Sequence, residues 1–162
     1  LCNAFYEPSR DAVLRSHTWN FAITRASLAK LSDAPAFEYA NQFALPTDPF
    51  CLRVLKMEFE DYEFKIENLA GQGRVLLTDE GTANIIYIAR ITDPSLFDSM
   101  FVDVLTSKLT VDLAYPITNS TTLQAQMQKI YERKLSEARS LDSTEGSTDS
   151  LISNVFTDFR AP

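Results

Sequence analysis

The apolar and polar positions of this chain follow different periods in three successive parts. Up to about residue 36, a short helical pattern over residues 10–15 precedes His17, Trp19 and Phe21, whose every-second-residue spacing is that of a strand. Residues 50–92 contain alternating stretches separated by turn-forming residues, and residues 93–141 carry apolar side chains every three or four positions. This order predicts an α+β fold, in which an antiparallel sheet of about four to six strands packs with a small helical bundle.

The alternation in the strand region changes phase at residues 60–61, which predicts a hairpin turn there. Three apolar residues before the turn share one parity and three after it share the other: Leu55, Met57 and Phe59, then Tyr62, Phe64 and Ile66. Residues 84–91 are apolar on both faces, which predicts the most buried strand of the sheet. The short connections predict an antiparallel meander.

Two helices are predicted after the strands. Asp93 is a suitable N-cap and Pro94 a favourable first helical residue, and we expect Pro116 to end this helix. Thr121 and Gln124 have the spacing of a capping box at the start of the second helix. Because the connection is short, the two helices should pack antiparallel.

The sequence predicts an extended C-terminal tail after a single α+β domain over residues 1–141. Residues 142–150 contain no apolar side chain and predict a flexible linker. Residues 151–162 are predicted to form a docking segment, because their apolar positions fit one face of a helix too short to be stable alone. The residues predicted to bind a partner are Leu151, Ile152, Val155, Phe156, Phe159 and Arg160. Docking on the same subunit and docking on another molecule are both compatible with this pattern.

Composition and charge narrow the possible functions. The chain has 162 residues, of which 45% are apolar, and a formal net charge of −7. Sequence-independent nucleic-acid binding needs clustered cations, so we do not expect this chain to grip DNA. No apolar stretch approaches the roughly 20 residues of a membrane span, and no membrane partner is expected. The two cysteines, Cys2 and Cys51, lie outside any C-x-x-C pair, so neither a zinc site nor a disulfide scaffold is indicated.

We find no pattern that predicts a catalytic centre, a cofactor site or a metal site. His17 is the only histidine, and its place in an apolar alternation favours a structural role. The best enzymatic candidates are carboxylates near the predicted hairpin, because two carboxylates can hydrolyse a glycosidic bond. Strand alternation explains the same residues as the solvated side of a hairpin. The alternative function is therefore a tail-associated cell-wall glycan hydrolase that uses Glu58, Glu60 and Glu63.

Several segments, in this order, resemble the tail tubular protein A family, the head-to-tail adaptors of T7-like podophages. The resemblance begins with residues 3–21, which form a helix followed by Trp-x-Phe, and continues with Phe-Ala-Leu-Pro-Thr-Asp at 43–48 and Val-Leu-Leu-Thr-Asp at 75–79. It extends through Ile-Thr-Asp-Pro at 91–94, the residues Phe97, Asp98 and Phe101, and Leu-Ala-Tyr-Pro-Ile-Thr at 113–118. None of these patterns is a catalytic motif, so their order and coverage carry the resemblance.

The resemblance implies a non-enzymatic structural protein of the virion. Members of this family form a dodecameric ring in the virion that joins the portal protein to the tail nozzle protein (tail tubular protein B), and both a ring and a monomer are compatible with the isolated chain. DNA would pass through the lumen of the ring without specific binding, in agreement with the acidic composition. The protein would lie in the neck of the virion, and in the host cytoplasm during assembly. The family typically carries a further helical segment before the position at which this chain starts.

Overall fold

The computed structural model describes residues 2–145 and confirms the α+β class. The helices are α1 (Cys2–Ser16), α2 (Ser99–Thr118) and α3 (Thr121–Asp142). The strands are β1 (Ile23–Ser27), β2 (Asn41–Ala44), β3 (Cys51–Met57), β4 (Lys65–Leu69), β5 (Gly73–Thr78) and β6 (Asn84–Ala89). Short 3-10 turns at Asn20–Ala22 and Pro94–Leu96 connect helices to strands. The predicted extended tail, docking segment and most of the linker lie outside the described residues.

The six strands form two antiparallel sheets of three strands, so the predicted antiparallel meander is wrong. The helix-side sheet has the order β1-β6-β3, and the outer sheet has the order β2-β5-β4. The hairpin predicted at residues 60–61 is wrong, because β3 pairs with β6 while β4 pairs with β5. Residues 58–64 instead connect one sheet to the other. A change of phase shows that the chain turns, but it does not show which strand lies alongside.

Strand β6 is apolar on both faces, as predicted, and its residues 87–89 are buried on both. Ile85 and Tyr87 contribute to a core between the two sheets, whereas Ile88 contributes to a core between the helix-side sheet and the helices. The molecule therefore has three layers, with the helices on one face of the helix-side sheet and the outer sheet on its other face. A central strand between two apolar layers needs apolar residues at successive positions.

Strand β3 contributes to both cores because it is irregular. Its pairing with β6 shifts register between Cys51 and Arg53 and again between Val54 and Lys56. Each bulge adds one residue and changes which side chains face each core. Leu55 consequently packs in the helical core and Met57 in the core between the sheets, so their predicted common face is wrong.

The strand predicted over His17, Trp19 and Phe21 is also wrong. Strand β1 begins later, at Ile23, and Trp19 lies in the connection from α1. The Trp19 ring is fully buried and its Nε1–H donates a 2.9 Å hydrogen bond to the carbonyl of Val13. The alternating pattern reflects burial in the helical core rather than an extended backbone.

The residue predicted to cap the helix after the strands caps a short turn before that helix instead. Asp93 caps only the short turn Pro94–Leu96, accepting a hydrogen bond from the Ser95 N–H. The residue that caps α2 is Asp98, whose carboxylate accepts from the backbone N–H of Met100 at 2.8 Å.

Two further boundaries shift by one or two residues. Pro116 lies within the last turn of α2, which continues to Thr118. A proline removes one donor, and here only two helical residues follow it. Ser120 rather than Thr121 caps α3, so the predicted capping box with Gln124 does not form.

The three helices pack as a bundle, with α2 and α3 antiparallel as predicted. Lys134 Nζ of α3 donates to Asp103 Oδ1 of α2 at 2.6 Å. On another side of α2, the hydroxyl of Ser9 donates to Asp112 Oδ2 at 2.6 Å and holds α1 in place. The helical pattern predicted over residues 10–15 is part of α1, which includes Pro8 and begins earlier.

The strand registers define two ends of the molecule. At the helix end, β1 begins and β6 ends beside the helical core. At the opposite loop end lie three connections, residues 28–40, 58–64 and 79–83, which follow β1, β3 and β5. Helix α2 has 20 residues and is about 30 Å long, and its buried members of the helical core, Phe101, Val104 and Leu105, lie in its first half.

Candidate functional site

The docking segment was predicted to bind a partner through Leu151, Ile152, Val155, Phe156, Phe159 and Arg160, and all six residues lie outside the described part of the chain. What the structure does describe is the point at which the chain leaves α3 and the surfaces near that point. The candidate site comprises the end of α3 and the nearby uncovered part of the helix-side sheet.

The end of α3 is fixed to the connection between α1 and β1 by a group of contacts that we name the α3 anchor. The Asp142 carboxylate lies 2.9 Å from Nε2 of His17 and accepts the backbone N–H of Asn20 at 3.1 Å. Asn20 Nδ2 donates to the Asp142 carbonyl at 2.7 Å, and Arg139 Nη2 donates to the Ser16 carbonyl at 2.6 Å. These contacts agree with the structural role predicted for His17.

The helices cover only part of the helix-side sheet. Ile23 and Ile88 are paired across β1 and β6 and lie beneath the helices. Towards the loop end, every second side chain of these strands points to the same side of the sheet as Ile23 and Ile88. These side chains lie beyond the helical core. We name this uncovered region the open face; its residues are Arg25, Ser27, Lys56, Glu58, Asn84 and Ile86.

A concavity of about 460 Å³ is lined by five residues of the open face together with Ala26 and Ile85; the five are Arg25, Ser27, Glu58, Asn84 and Ile86. Ile86 lies between Arg25 on β1 and Lys56 on β3, which are its partners in the two ladders. Asn84 Nδ2 donates to Glu58 Oε2 at 2.7 Å at the rim. The open face thus combines an apolar centre with two flanking cations, in a chain whose net charge is −7.

The carboxylates of the hydrolase hypothesis lie in different surroundings. Glu58 is on the open face, whereas Glu60 lies in the following connection with its carboxylate 3.6 Å from Lys56 Nζ. Glu63 is in the same connection, where its backbone carbonyl accepts the Thr78 hydroxyl. All three residues are exposed. A glycosidase acid is normally a carboxyl group shielded from water, and this arrangement does not supply one among the three.

Large apolar side chains are exposed at both ends of the molecule. At the helix end, Tyr115 is 46% exposed and Ile117 is 63% exposed in the last turn of α2. At the loop end, Phe37 is 80% exposed and Phe59 is 53% exposed. The Phe59 ring contacts Tyr62 edge to face at 5.1 Å. The two pairs lie in separate elements, one in α2 and the other in the connections that follow β1 and β3.

Both cysteines are free thiols. Cys2 is exposed and Cys51 is buried in the core between the sheets. Burial raises the pKa of the Cys51 thiol, and the positive charges of Arg74 and Arg15 oppose this effect. An inert, protonated thiol is typical of a structural cysteine.

Within residues 2–145, no group of three or more histidine, cysteine, aspartate or glutamate side chains is placed to hold a metal ion. None of the helices in the same part of the chain is both long and apolar enough to cross a membrane.

A scan of the chain against protein-family models and a search of curated proteins returned no match. The resemblance to the tail tubular protein A family therefore remains a prediction.

Proposed function

We propose that this chain is a non-enzymatic head-to-tail adaptor of a bacteriophage virion. It would form a ring, dodecameric by resemblance, between the portal protein and the tail nozzle protein. DNA would pass through the ring without being bound specifically. The protein would lie in the virion neck after assembly in the host cytoplasm.

The exposure of large apolar side chains in two separate parts of the fold is the observation that carries this proposal. Ile117 is exposed at the helix end and Phe37 at the loop end. Exposed apolar groups of this size are typical of protein contact sites. A protein that joins two different partners needs one such surface for each. By resemblance, the helix end would face the portal and the loop end the tail.

The acidic composition supports the channel role. A net charge of −7 per subunit would accumulate around a ring, and an acidic lumen repels phosphates. Ring closure requires that one patch of a subunit meets a different patch on its neighbour. The C-terminal residues 151–160 would add an apolar contact to the portal or to a neighbouring subunit.

A binding experiment with purified portal tests the proposal. We expect co-elution on size exclusion and a ring on the portal in particle images. Ile117→Asp should weaken portal binding at least about tenfold, whereas Phe37→Asp should not, because each substitution removes one apolar contact from one end. Thr110→Asp adds the same charge at an exposed position on the side of α2 and is the matched control. If the unmodified chain does not bind portal, the adaptor proposal is wrong.

Deleting residues 151–162 tests the docking segment separately. We expect attachment to the portal or to the neighbouring subunit to weaken while the α+β domain stays folded. Undiminished attachment after the deletion would exclude a partner-binding role for Leu151, Phe156 and the other apolar residues of the segment.

The alternative, a carboxylate-dependent hydrolase of cell-wall glycan, has one observation in its favour. Glu58 lines the concavity of about 460 Å³ at the open face. The hypothesis requires clearing of a peptidoglycan suspension by the unmodified chain, with loss of clearing in Glu58→Gln and Glu60→Gln. Absence of clearing by the unmodified chain would end it.

A further inference from the structure

We propose that the open face is the docking site for residues 151–159 of the same chain. The apolar side chains of this segment would cover Ile86, and its acidic residues would lie near the cations beside Ile86. The occupant is thus a named part of this polypeptide, bound to its own helix-side sheet.

The position of the α3 anchor supports this placement. Asp142 contacts Asn20, which lies three residues before the start of β1. The chain therefore leaves α3 at the helix end of the strand that carries Arg25 and Ser27. The open face lies along the same strand, on the side of the sheet that the helices pack against.

The length of the intervening chain is sufficient. Residues 146–150 separate Glu145 from the segment, and five residues can span up to about 17–18 Å. Strand β1 has five residues and is therefore about 16 Å long. The connection and the nine residues of the segment together are long enough to extend along β1 over the open face without a change in the sheets.

The chemistry of the two surfaces is complementary. The segment has apolar residues at 151, 152, 155, 156 and 159, with Asp149 before them and Asp158 among them. The open face has Ile86 between Arg25, which is exposed, and Lys56, whose Nζ also lies 3.6 Å from Glu60 Oε1. Opposite charges around an apolar centre favour one register of docking over others.

The short tether favours the chain's own segment over that of a second copy. A tether of a few residues gives an effective concentration in the millimolar range, far above the micromolar concentrations of purified protein. The inference concerns the isolated chain and goes beyond the proposed function. In a ring, the same segment could occupy the same face of a neighbour, since exchange of an identical element is a low-cost route to oligomers.

Intramolecular cross-linking of the full chain tests the inference. In a Cys2→Ser background, Ser27→Cys on the open face is combined with Asn154→Cys in the segment. The matched control pairs Asn154→Cys with Thr110→Cys, which is exposed on α2. With a short bismaleimide at low protein concentration, we expect the first pair to react within one chain at least about tenfold faster.

A second pair of variants separates docking from chance proximity. Phe156→Asp should lower the rate of the Ser27→Cys pair to that of the control, because it places a charge on the apolar side of the segment. Thr157→Asp adds the same charge at the neighbouring, polar position and should leave the rate high. Equal rates for the two cysteine pairs, or no effect of Phe156→Asp, would overturn the inference.

Cross-links between chains whose yield rises with protein concentration would also overturn it, because the occupant would then be a second copy. None of these measurements uses the portal. Failure of this inference is therefore distinguishable from failure of the adaptor proposal.

Discussion

The Asp142 carboxylate lies 2.9 Å from Nε2 of His17, although the two residues are 125 positions apart in the chain. This contact closes the helical bundle, because it joins the last residue of α3 to the connection between α1 and β1. It also fixes where the C-terminal residues leave the domain. The single histidine of the chain thus acts in the architecture, next to the only tryptophan, whose ring it meets edge to face at 5.0 Å.

Replacing Asp142 by alanine should lower the free energy of unfolding by about 1–2 kcal/mol, since the substitution removes the contacts to His17 and to the Asn20 N–H. Urea denaturation followed by Trp19 fluorescence measures this difference. Glu137→Ala is the control on the same helix, because its carboxylate is exposed and lies 3.9 Å from Arg133 Nε. We expect the control to stay within about 0.5 kcal/mol of the unmodified chain. Equal losses in the two variants would contradict the importance of the α3 anchor.

Two phenylalanines of very different exposure give a second prediction. Phe101 is fully buried and its ring lies 5.4 Å from Trp19 and 5.0 Å from Phe21, whereas Phe37 is 80% exposed. Phe101→Ala should reduce the free energy of unfolding by about 3–5 kcal/mol, because it leaves a cavity in the helical core. Phe37→Ala should change it by less than about 0.5 kcal/mol. A large loss in Phe37→Ala would mean that its side chain packs against the fold in solution.

Asn119 gives a third prediction, about the turn between α2 and α3. Its φ of 52° is in the left-handed region, which a glycine adopts without steric cost. Asn119→Gly should therefore maintain or raise the thermal midpoint, whereas Asn119→Val should lower stability by roughly 1–2 kcal/mol. If the valine variant is as stable as the glycine variant, the turn has a different backbone conformation.

The buried thiol of Cys51 gives a fourth prediction, about alkaline pH. Its pKa in the folded protein is raised above the ordinary value of 9.0 by burial, so the unfolded chain loses this proton at a lower pH than the folded one. The stabilising contribution is complete below pH 9 and is lost as the pH rises above it. We expect the free energy of unfolding to fall between pH 9 and pH 10, below the range in which Tyr87 and Tyr131 would add to the effect.

Cys51→Ala is the control for this pH dependence. The variant should be less stable at neutral pH because it leaves unfilled space, but its stability should fall less steeply over the same interval. Identical slopes in the two proteins would show that the Cys51 thiol is not the group responsible.

The sequence predicts whether a segment is a helix or a strand better than it predicts which strands pair. The periods that identify α2, α3 and β6 arise from residues close in the chain, and these elements form in the predicted stretches, although α2 begins five residues later than the predicted Pro94. Pairing is a long-range property. The alternation on either side of residues 60–61 is equally compatible with a hairpin and with a crossing between two sheets, and the structure shows the latter.

Only the local part of the candidate site could be predicted from the sequence. The apolar spacing of residues 151–159 is a local pattern and can be found in one sequence. The open face is not local, because it brings together Arg25, Lys56 and Ile86 from three strands. It also depends on how far the helices extend over the sheet. Asp142 gave no signal, since a carboxylate at the end of a polar helix is ordinary until His17 is found beside it.

The two bulges of β3 have a consequence for how the protein unfolds. Because Leu55 packs with the helices and Met57 packs between the sheets, this strand cannot separate from either core while the other remains intact. Melting should therefore be cooperative, and calorimetry should give a single heat-absorption peak rather than separate helical and β transitions.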